Sequence, residues 1–423
     1  MKNQLLSILI VGMAFGTAWA IRGQFGHEQG AAWAGGIGAL ALILAAKRQD
    51  WYEKMLPITL ASVIGWGSSG MISYGIVVGY GHSDNFPNAF YGLLMLFLIG
   101  CLYGILGGGL VGLSLESNQE KKVKWGALFS EIVAGGVIGY YLLIVQFGWL
   151  MTPPRDEMWA VSMGAGLALL WHMVRNKYQS PIRVALYSAI GAGFGFAFGN
   201  FLQILGNVME IQFNMWNVME YSIGFFGGLG MSYGVFSSVW PADAPVPEKW
   251  ESRVSMLIVF VAIPLIIFAD NFGFKTLMER IKDPSNPETS SFLSSLFSGL
   301  IILTVAVTGY YTYLKSKKRF KRKDVLLLFA VYLAAYISIS YIVSGLFAGV
   351  LLLNHHLYWV NFVLLLWLIG KQFPAFFDKP VSEMNTNRWL LYVAGLVIVV
   401  ALLALIAVNS HGEIGGAHDR FPL

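Results

Sequence analysis

A short stretch near the start of the chain, AWAIRGQFGHEQGAAWAGG at 18–36, sets Arg22, Gln24, His27 and Glu28 between two long apolar runs. A plain turn would use Gly, Asn, Ser or Pro there. Arg22 can clamp an anionic or hydroxyl group, and Gln24 can hydrogen-bond a hydroxyl. His27 can exchange a proton near neutral pH, and Glu28 can hold a cation or a proton. A second polar set follows far along the chain: Asn200, Gln203, Glu210, Asn214, Trp216, Asn217 and Glu220. His82, Asp84 and Asn85 make a third, again between apolar runs.

Glycine spacing ties the first two sets together. Residues 12–19 read GMAFGTAW and residues 191–198 read GAGFGFAF, sharing G-x-x-F-G-x-A-[WF]. At the same offset Gln24 falls on Gln203. Glu28 precedes GGIG (35–38) as Glu220 precedes GGLG (227–230). This predicts an internal repeat of the parallel kind, with the first two helices resembling the seventh and eighth.

Composition says what must position these groups. The 423 residues are 56% hydrophobic and only 12% charged, with mean hydropathy +0.62, against about 25% charged in soluble domains. Runs of about 20 apolar residues, as a membrane-crossing helix needs, recur throughout. The expected fold is an all-α polytopic integral membrane protein of about thirteen transmembrane helices. They fall at 4–21, 28–46, 56–80, 88–114, 126–148, 157–174, 184–206, 217–239, 254–271, 291–314, 325–353, 357–371 and 389–409. Residues 1–20 also outline a signal peptide ending in Ala18-Trp19-Ala20. The glycine pattern shared with 191–198 favours a first span instead.

Of the 28 Lys and Arg, all but Arg22, Arg155, Lys275, Arg280, Lys282 and Arg420 fall on the side of the N-terminus. Positive charge stays in the cytoplasm, so the N-terminus is expected inside and the C-terminus outside. The net charge of +5 and pI near 9 therefore belong to cytoplasmic loops and imply no nucleic-acid partner. The basic loop KSKKRFKRK (315–323) suits anionic lipid. The single Cys101 excludes a disulfide framework and a Cys-based metal site. Of 48 Gly, 38 precede residue 250, and small residues let membrane helices pack closely. The expected organisation is a Gly-rich eight-helix core (1–240), a cytoplasmic linker (241–253), a five-helix Gly-poor scaffold (254–409) and an outer tail (410–423). FKTLMERIK (274–282) should lie along the interface on Phe274, Leu277, Met278 and Ile281.

Six of the seven His, all but His172, fall toward the outer side. His355 and His356 read as an interfacial pair, and His411 and His418 as part of a mobile tail. Glu28 and Glu220 also suit the first turn of a helix, where a carboxylate meets the positive dipole end, and Arg22 could pair with Glu28. His27 and His82 could be polar turn residues. Glu131 fits either a proton-coupling carboxylate or a snorkelling one held by a neighbouring helix. Asp270 and Asn271 fit a helix cap. No G-x-x-x-x-G-K-[ST], H-E-x-x-H or G-x-S-x-G motif is present, and no cofactor is expected.

Two functions follow. One is a secondary transporter for a small polar solute, such as a sugar or sugar derivative, in a bacterial inner membrane. Its outer-side site would use Arg22, Gln24, His27, Glu28, His82, Asn200, Gln203, Asn217 and Glu220, with Trp216 stacking and Glu131 coupling. The other is an outward-facing membrane enzyme, a glycosyl- or acyltransferase or a metal-dependent hydrolase, on a lipid-linked or periplasmic substrate. His27, Glu28, His82 and Glu220 would be its catalytic set, or His27, Glu28, His82 and Asp84 its metal ligands. A structural role in an envelope complex is a third, weaker alternative.

Overall fold

The computed structural model describes residues 2–242, 247–281, 285–316, 319–371, 374–381, 383 and 385–422. Lys282, Lys317, Lys318 and part of the linker, 243–246, lie outside the described residues. Most of the described residues are helical, and none of them forms a strand.

The first apolar run gives α1 (Lys2–Arg22) and the second α2 (His27–Ala46). The short α3 (Gln49–Glu53) leads into α4 (Met55–Ser68), a 3-10 turn (Ser69–Met71) and α5 (Gly75–Gly81). Then come α6 (Phe86–Glu116), α7 (Trp125–Tyr140, prolonged by a π turn to Gln146), α8 (Met158–Arg175), α9 (Gln179–Val208) and α10 (Met215–Phe236). The last part holds α11 (Lys249–Leu257), joined by a π turn to α12 (Ile263–Asn271), and α13 (Phe274–Arg280). It closes with α14 (Pro287–Ser316), α15 (Arg322–Val343), α16 (Leu353–Gly370) and α17 (Thr386–Ser410).

Ten of these helices, counting α7 and α11–α12 with their π turns, are long and apolar enough to cross a membrane. The number is eleven if α4 and α5 are one span, and that span is bent by 69° at its break. Such a set marks a polytopic membrane protein. The stretch 56–80, expected as a single helix, is thus interrupted. Helices α8 and α10 form over the expected residues but are not among the ten.

Six helices close a ring: α1 packs on α2 and α10, α10 on α9, α9 on α6, α6 on α4, and α4 on α2. Glycine permits the contacts. A Cβ on Gly65 of α4 would stand 2.6 Å from the Leu106 carbonyl oxygen of α6, and one on Gly12 of α1 only 2.7 Å from Leu229 Cδ2 of α10. Side chains larger than hydrogen would push these pairs apart.

Aromatic rings fill the centre. Phe15 meets Trp66 edge-to-face at 4.7 Å, Trp66 meets Trp19 at 5.5 Å, Trp19 meets Tyr103 at 5.6 Å, and Tyr103 lies 5.5 Å from Phe196. Edge-to-face geometry sets the positive ring edge on a negative ring face.

The Gly-poor part is more than a shell. Trp33 of α2 stacks on Tyr332 and Tyr336 of α15, each at 4.8 Å. Helix α13 buries Leu277, followed by buried Ile281, while Phe274 stays exposed. Helix α7 packs mainly on α8 and leaves Val133, Val137 and Ile138 exposed, a surface suited to lipid.

The C-terminal tail is anchored, contrary to the mobile tail expected. The His418 amide donates to the Gly79 carbonyl at 3.0 Å. Ser83 Oγ donates to Asp419 at 2.6 Å, and Asn88 Oδ1 accepts from the Arg420 and Phe421 amides at 2.7 and 2.8 Å.

Candidate functional site

Helix α1 stops at Arg22 because the chain reverses within four residues. The Phe25 amide returns to the Arg22 carbonyl at 3.0 Å, and Gly26 takes φ +90°, a conformation that favours glycine. Arg22 therefore emerges at the end of α1 and turns inward, with none of its surface exposed. Its Nε donates to Glu220 Oε2 at 3.1 Å and its Nη2 to Glu220 Oε1 at 3.3 Å. Nη2 also donates to the Tyr74 hydroxyl, which itself donates to Glu220 Oε1 at 2.5 Å. Nη1 faces His27 Nδ1 at 3.3 Å. The guanidinium lies 5.0 Å from the Trp19 ring and 5.4 Å from that of Tyr74.

Tyr74 can reach this pair because its span breaks. Ile72 is extended, and Tyr74 precedes α5 with φ −133°. Non-helical backbone at membrane depth survives only where protein or a wet cavity satisfies it. A cavity of about 420 Å³ opens here, lined by Gln24, His27, Tyr74, Arg155, Trp216 and Glu220 among others. Arg22 lies behind this lining, bonded to three of its members.

The Gly-poor helices hold the wall from behind. Gln24 Nε2 donates to Ser344 Oγ at 3.0 Å, and Ser340 Oγ donates to Gln24 Oε1 at 2.5 Å. His355 Nε2 lies 3.0 Å from Ser340 Oγ. Asn217, which also lines the cavity, accepts from Asn354 Nδ2 at 2.6 Å and donates to the Ala20 carbonyl at 3.1 Å. His355 is fully buried in this network rather than an interfacial residue.

Six expected site residues thus come together: Arg22, Gln24, His27, Trp216, Asn217 and Glu220. Three others form a separate cluster. Asn200 Nδ2 lies 3.2 Å from His82 Nε2 and donates to Gln203 Oε1 at 3.3 Å. His82 is only 4% exposed. Burial pushes its imidazole down to about 4, and His411 and His418 on the tail oppose its charge further.

Glu28 joins neither group. It is exposed, and among the described residues its carboxylate has no hydrogen bond or ion pair. The Arg22–Glu28 pair is therefore corrected: Arg22 pairs with Glu220, 198 positions away. The metal set is corrected as well. Among the described residues no three His, Cys, Asp or Glu gather as a metal-binding group, and Asp84 is exposed. Glu131 lies apart, bonded to His172 Nδ1 at 3.0 Å and accepting from Arg175 Nη2 at 2.6 Å. Glu210 is exposed with φ 52°, and Asn214 caps α10 by accepting from the Asn217 amide at 3.2 Å.

Sequence reasoning missed Tyr74 and the pocket role of Arg155. A signal for Tyr74 was present, because GSSGMISYG (67–75) interrupts the apolar run at 56–80. Three donors below Arg22 lack a protein partner among the described residues: Trp19 Nε1, Trp66 Nε1 and Tyr103 Oη. Buried donors without partners are rare and each costs about 1–3 kcal/mol. No family model, curated protein or solved structure matches the chain.

Proposed function

We propose that the chain is a secondary transporter for a small polar solute such as a sugar or sugar derivative, seen with its site open at the Arg22 end. The asymmetry of Lys and Arg supports placing that end outside. The observation that carries the reading is the broken span, whose unwound residues bring Tyr74 onto a buried Arg22–Glu220 pair beside an open cavity. Discontinuous helices lining a substrate site are a recurring device of transporters.

Two further features support it. The aromatic cluster of Phe15, Trp19, Trp66 and Tyr103 closes the ring below the cavity, as an inner gate must. The unpartnered donors of Trp19, Tyr103 and Trp66 lie in that gate and could serve a polar solute moving inward. Close glycine contacts around the ring leave helices free to slide. Five of the proposed binding residues line the cavity, and Arg22 stands behind them, bonded to His27 and Glu220; Glu28 and the His82 cluster would act in another conformation, and so would a coupling role for Glu131.

A second reading has its own observation. His27 and Glu220 stand within hydrogen-bond distance of one arginine, with Tyr74 bridging, which is an acid–base arrangement beside an anion clamp. An outward-facing enzyme acting on a lipid-linked substrate would use these groups.

The test is a thermal-shift screen of sugars, amino sugars, amino acids and lipid-linked sugars, followed by uptake into proteoliposomes. A solute at 100-fold over its Kd should add about 2.7 kcal/mol of apparent stability, be taken up, and lose both effects in Tyr74→Phe. Stabilisation by a lipid-linked donor alone, with turnover and no uptake, would replace transport by the enzyme.

A further inference from the structure

A larger cavity than that beside Arg22 lies elsewhere, with a volume of about 770 Å³ between α4, α6, α7 and α8. Its lining is apolar, with Ile64, Leu110, Phe129, Ile132 and Val161, apart from residues such as Ser162. Ser162 Oγ is buried there without a partner among the described residues. A second cavity of about 420 Å³ opens at the other end of α4, around Lys54, Lys122, Trp125, Glu248, Trp250 and Glu251. Ile64, Leu110 and Phe129 line both, so the two form one cleft with an apolar run and a charged mouth. From Lys54 to Ser68 the helical rise is roughly 21 Å at 1.5 Å per residue. That length accommodates a lipid head and a chain reaching into one leaflet.

The mouth carries both signs of charge. The Lys54 amine is buried, donates to the Ser117 carbonyl at 2.5 Å, and is pushed down to about 8 by that burial. Lys122 Nζ pairs with Glu248 at 3.2 Å. Glu251 accepts from the Glu248 amide at 2.9 Å. Two amines and two carboxylates therefore face one opening, flanked by two tryptophans of the kind that settle at a membrane interface.

We propose that this cleft is a site for one zwitterionic glycerophospholipid, with a chain between α4, α6 and α7, its phosphate on Lys54 and Lys122, and its ammonium toward Glu248 and Glu251. The balanced mouth separates it from the basic loop 315–323, which suits anionic lipid. Helix α7, packed chiefly on α8, leaves the side through which a chain enters from the bilayer. The proposal is independent of what the Arg22 cavity binds.

The experiment is native mass spectrometry of delipidated protein given dioleoyl phosphatidylethanolamine or dioleoyl phosphatidylglycerol. Wild type should retain one phosphatidylethanolamine through detergent washes that strip the rest, and bind phosphatidylglycerol at least tenfold more weakly. Ile132→Trp and Ser162→Phe, which fill the cleft, should each lose that lipid at least tenfold while melting as wild type does without lipid. Lys54→Gln should weaken retention, and Leu300→Trp, on a lipid-exposed part of α14, should leave it unchanged. Equal retention of both lipids, or retention unaffected by both cleft-filling variants, would overturn the proposal and leave only annular lipid.

Discussion

Two polar clusters share one end of the bundle, and their glutamines stand at the same offset from similar glycine motifs in the sequence. Gln24 lines an open cavity, while Gln203 is 2% exposed beneath a docked tail. The glutamates diverge in the opposite sense, with Glu220 buried against Arg22 and Glu28 exposed. Similar local sequence thus yields one charged, accessible site and one neutral, closed cluster. The neighbours decide. The break after α4 delivers Tyr74 to the first, and the tail residues 411–422 cover the second. Motif equivalence places residues at the same level of a bundle; what packs over them sets their chemistry.

The largest expected effect breaks the charged cluster. Arg22→Met leaves Glu220 buried without its cation, and Glu220→Leu leaves Arg22 buried without its anion. Removing one partner of a buried pair costs about 3–5 kcal/mol. The double variant Arg22→Met/Glu220→Leu should recover most of that loss, because two apolar side chains carry no stranded charge. Melting curves of all three proteins measure this. Single losses below about 1 kcal/mol would mean that water reaches the pair and that the two clusters differ less than their geometry indicates.

The next effect belongs to the neutral cluster. His82 has its pKa depressed in the folded protein to about 4 from an ordinary 6.5 or so. Above the ordinary value neither state holds the proton, and the contribution of His82 is flat. As pH falls below it the unfolded chain binds a proton that the folded protein refuses, so stability declines until the folded value is reached. The loss attributable to His82 is on the order of 3 kcal/mol between pH 6.5 and 4. The facing titratable groups are His411 and His418 of the tail. The difference in melting temperature between wild type and His82→Asn isolates the residue. It should change steeply across that window, and a pH-independent difference would show His82 to be solvated.

The sequence made some of this legible and hid the rest for physical reasons. Runs of apolar residues predict helices because a bilayer forces backbone hydrogen bonds inward, and helices form in each of the expected stretches, though α4–α5 is broken and 325–353 leaves the helix after Val343. Arg22 was recognisable as a costly charge at a span end, whereas its partner was not. Glu28 lies six residues away and Glu220 lies 198 away, and only the ring closure of α1 on α10 selects the latter. The bond from Gln24 to Ser340 and Ser344 was equally invisible, since serines on an apolar helix commonly bond their own backbone, as Ser338 does to Ala334 at 2.7 Å.

That bond gives a third, intermediate effect. Gln24→Leu strips partners from Ser340 and Ser344 and should cost about 1–3 kcal/mol. Gln203→Leu should cost a similar amount but leave any solute-induced thermal shift intact, whereas Gln24→Leu should reduce it. If both variants reduce the shift equally, the clusters act as one site and the comparison collapses.

The smallest effect is expected at Glu28, and it is the sharpest test of the contrast with Glu220. Its carboxylate sits in the first turn of α2, exposed. It therefore gains only from the helix dipole, which solvent weakens, so Glu28→Gln should change stability by about 0.5 kcal/mol or less. The same substitution at Glu220 keeps the shape but removes the anion that neutralises Arg22, so it should approach the cost of breaking the pair. Melting both variants side by side in one detergent removes most other variables. A loss at Glu28 comparable with that at Glu220 would require the first hairpin to close over Glu28 in another conformation, with the repeat restored as a pair of working carboxylates.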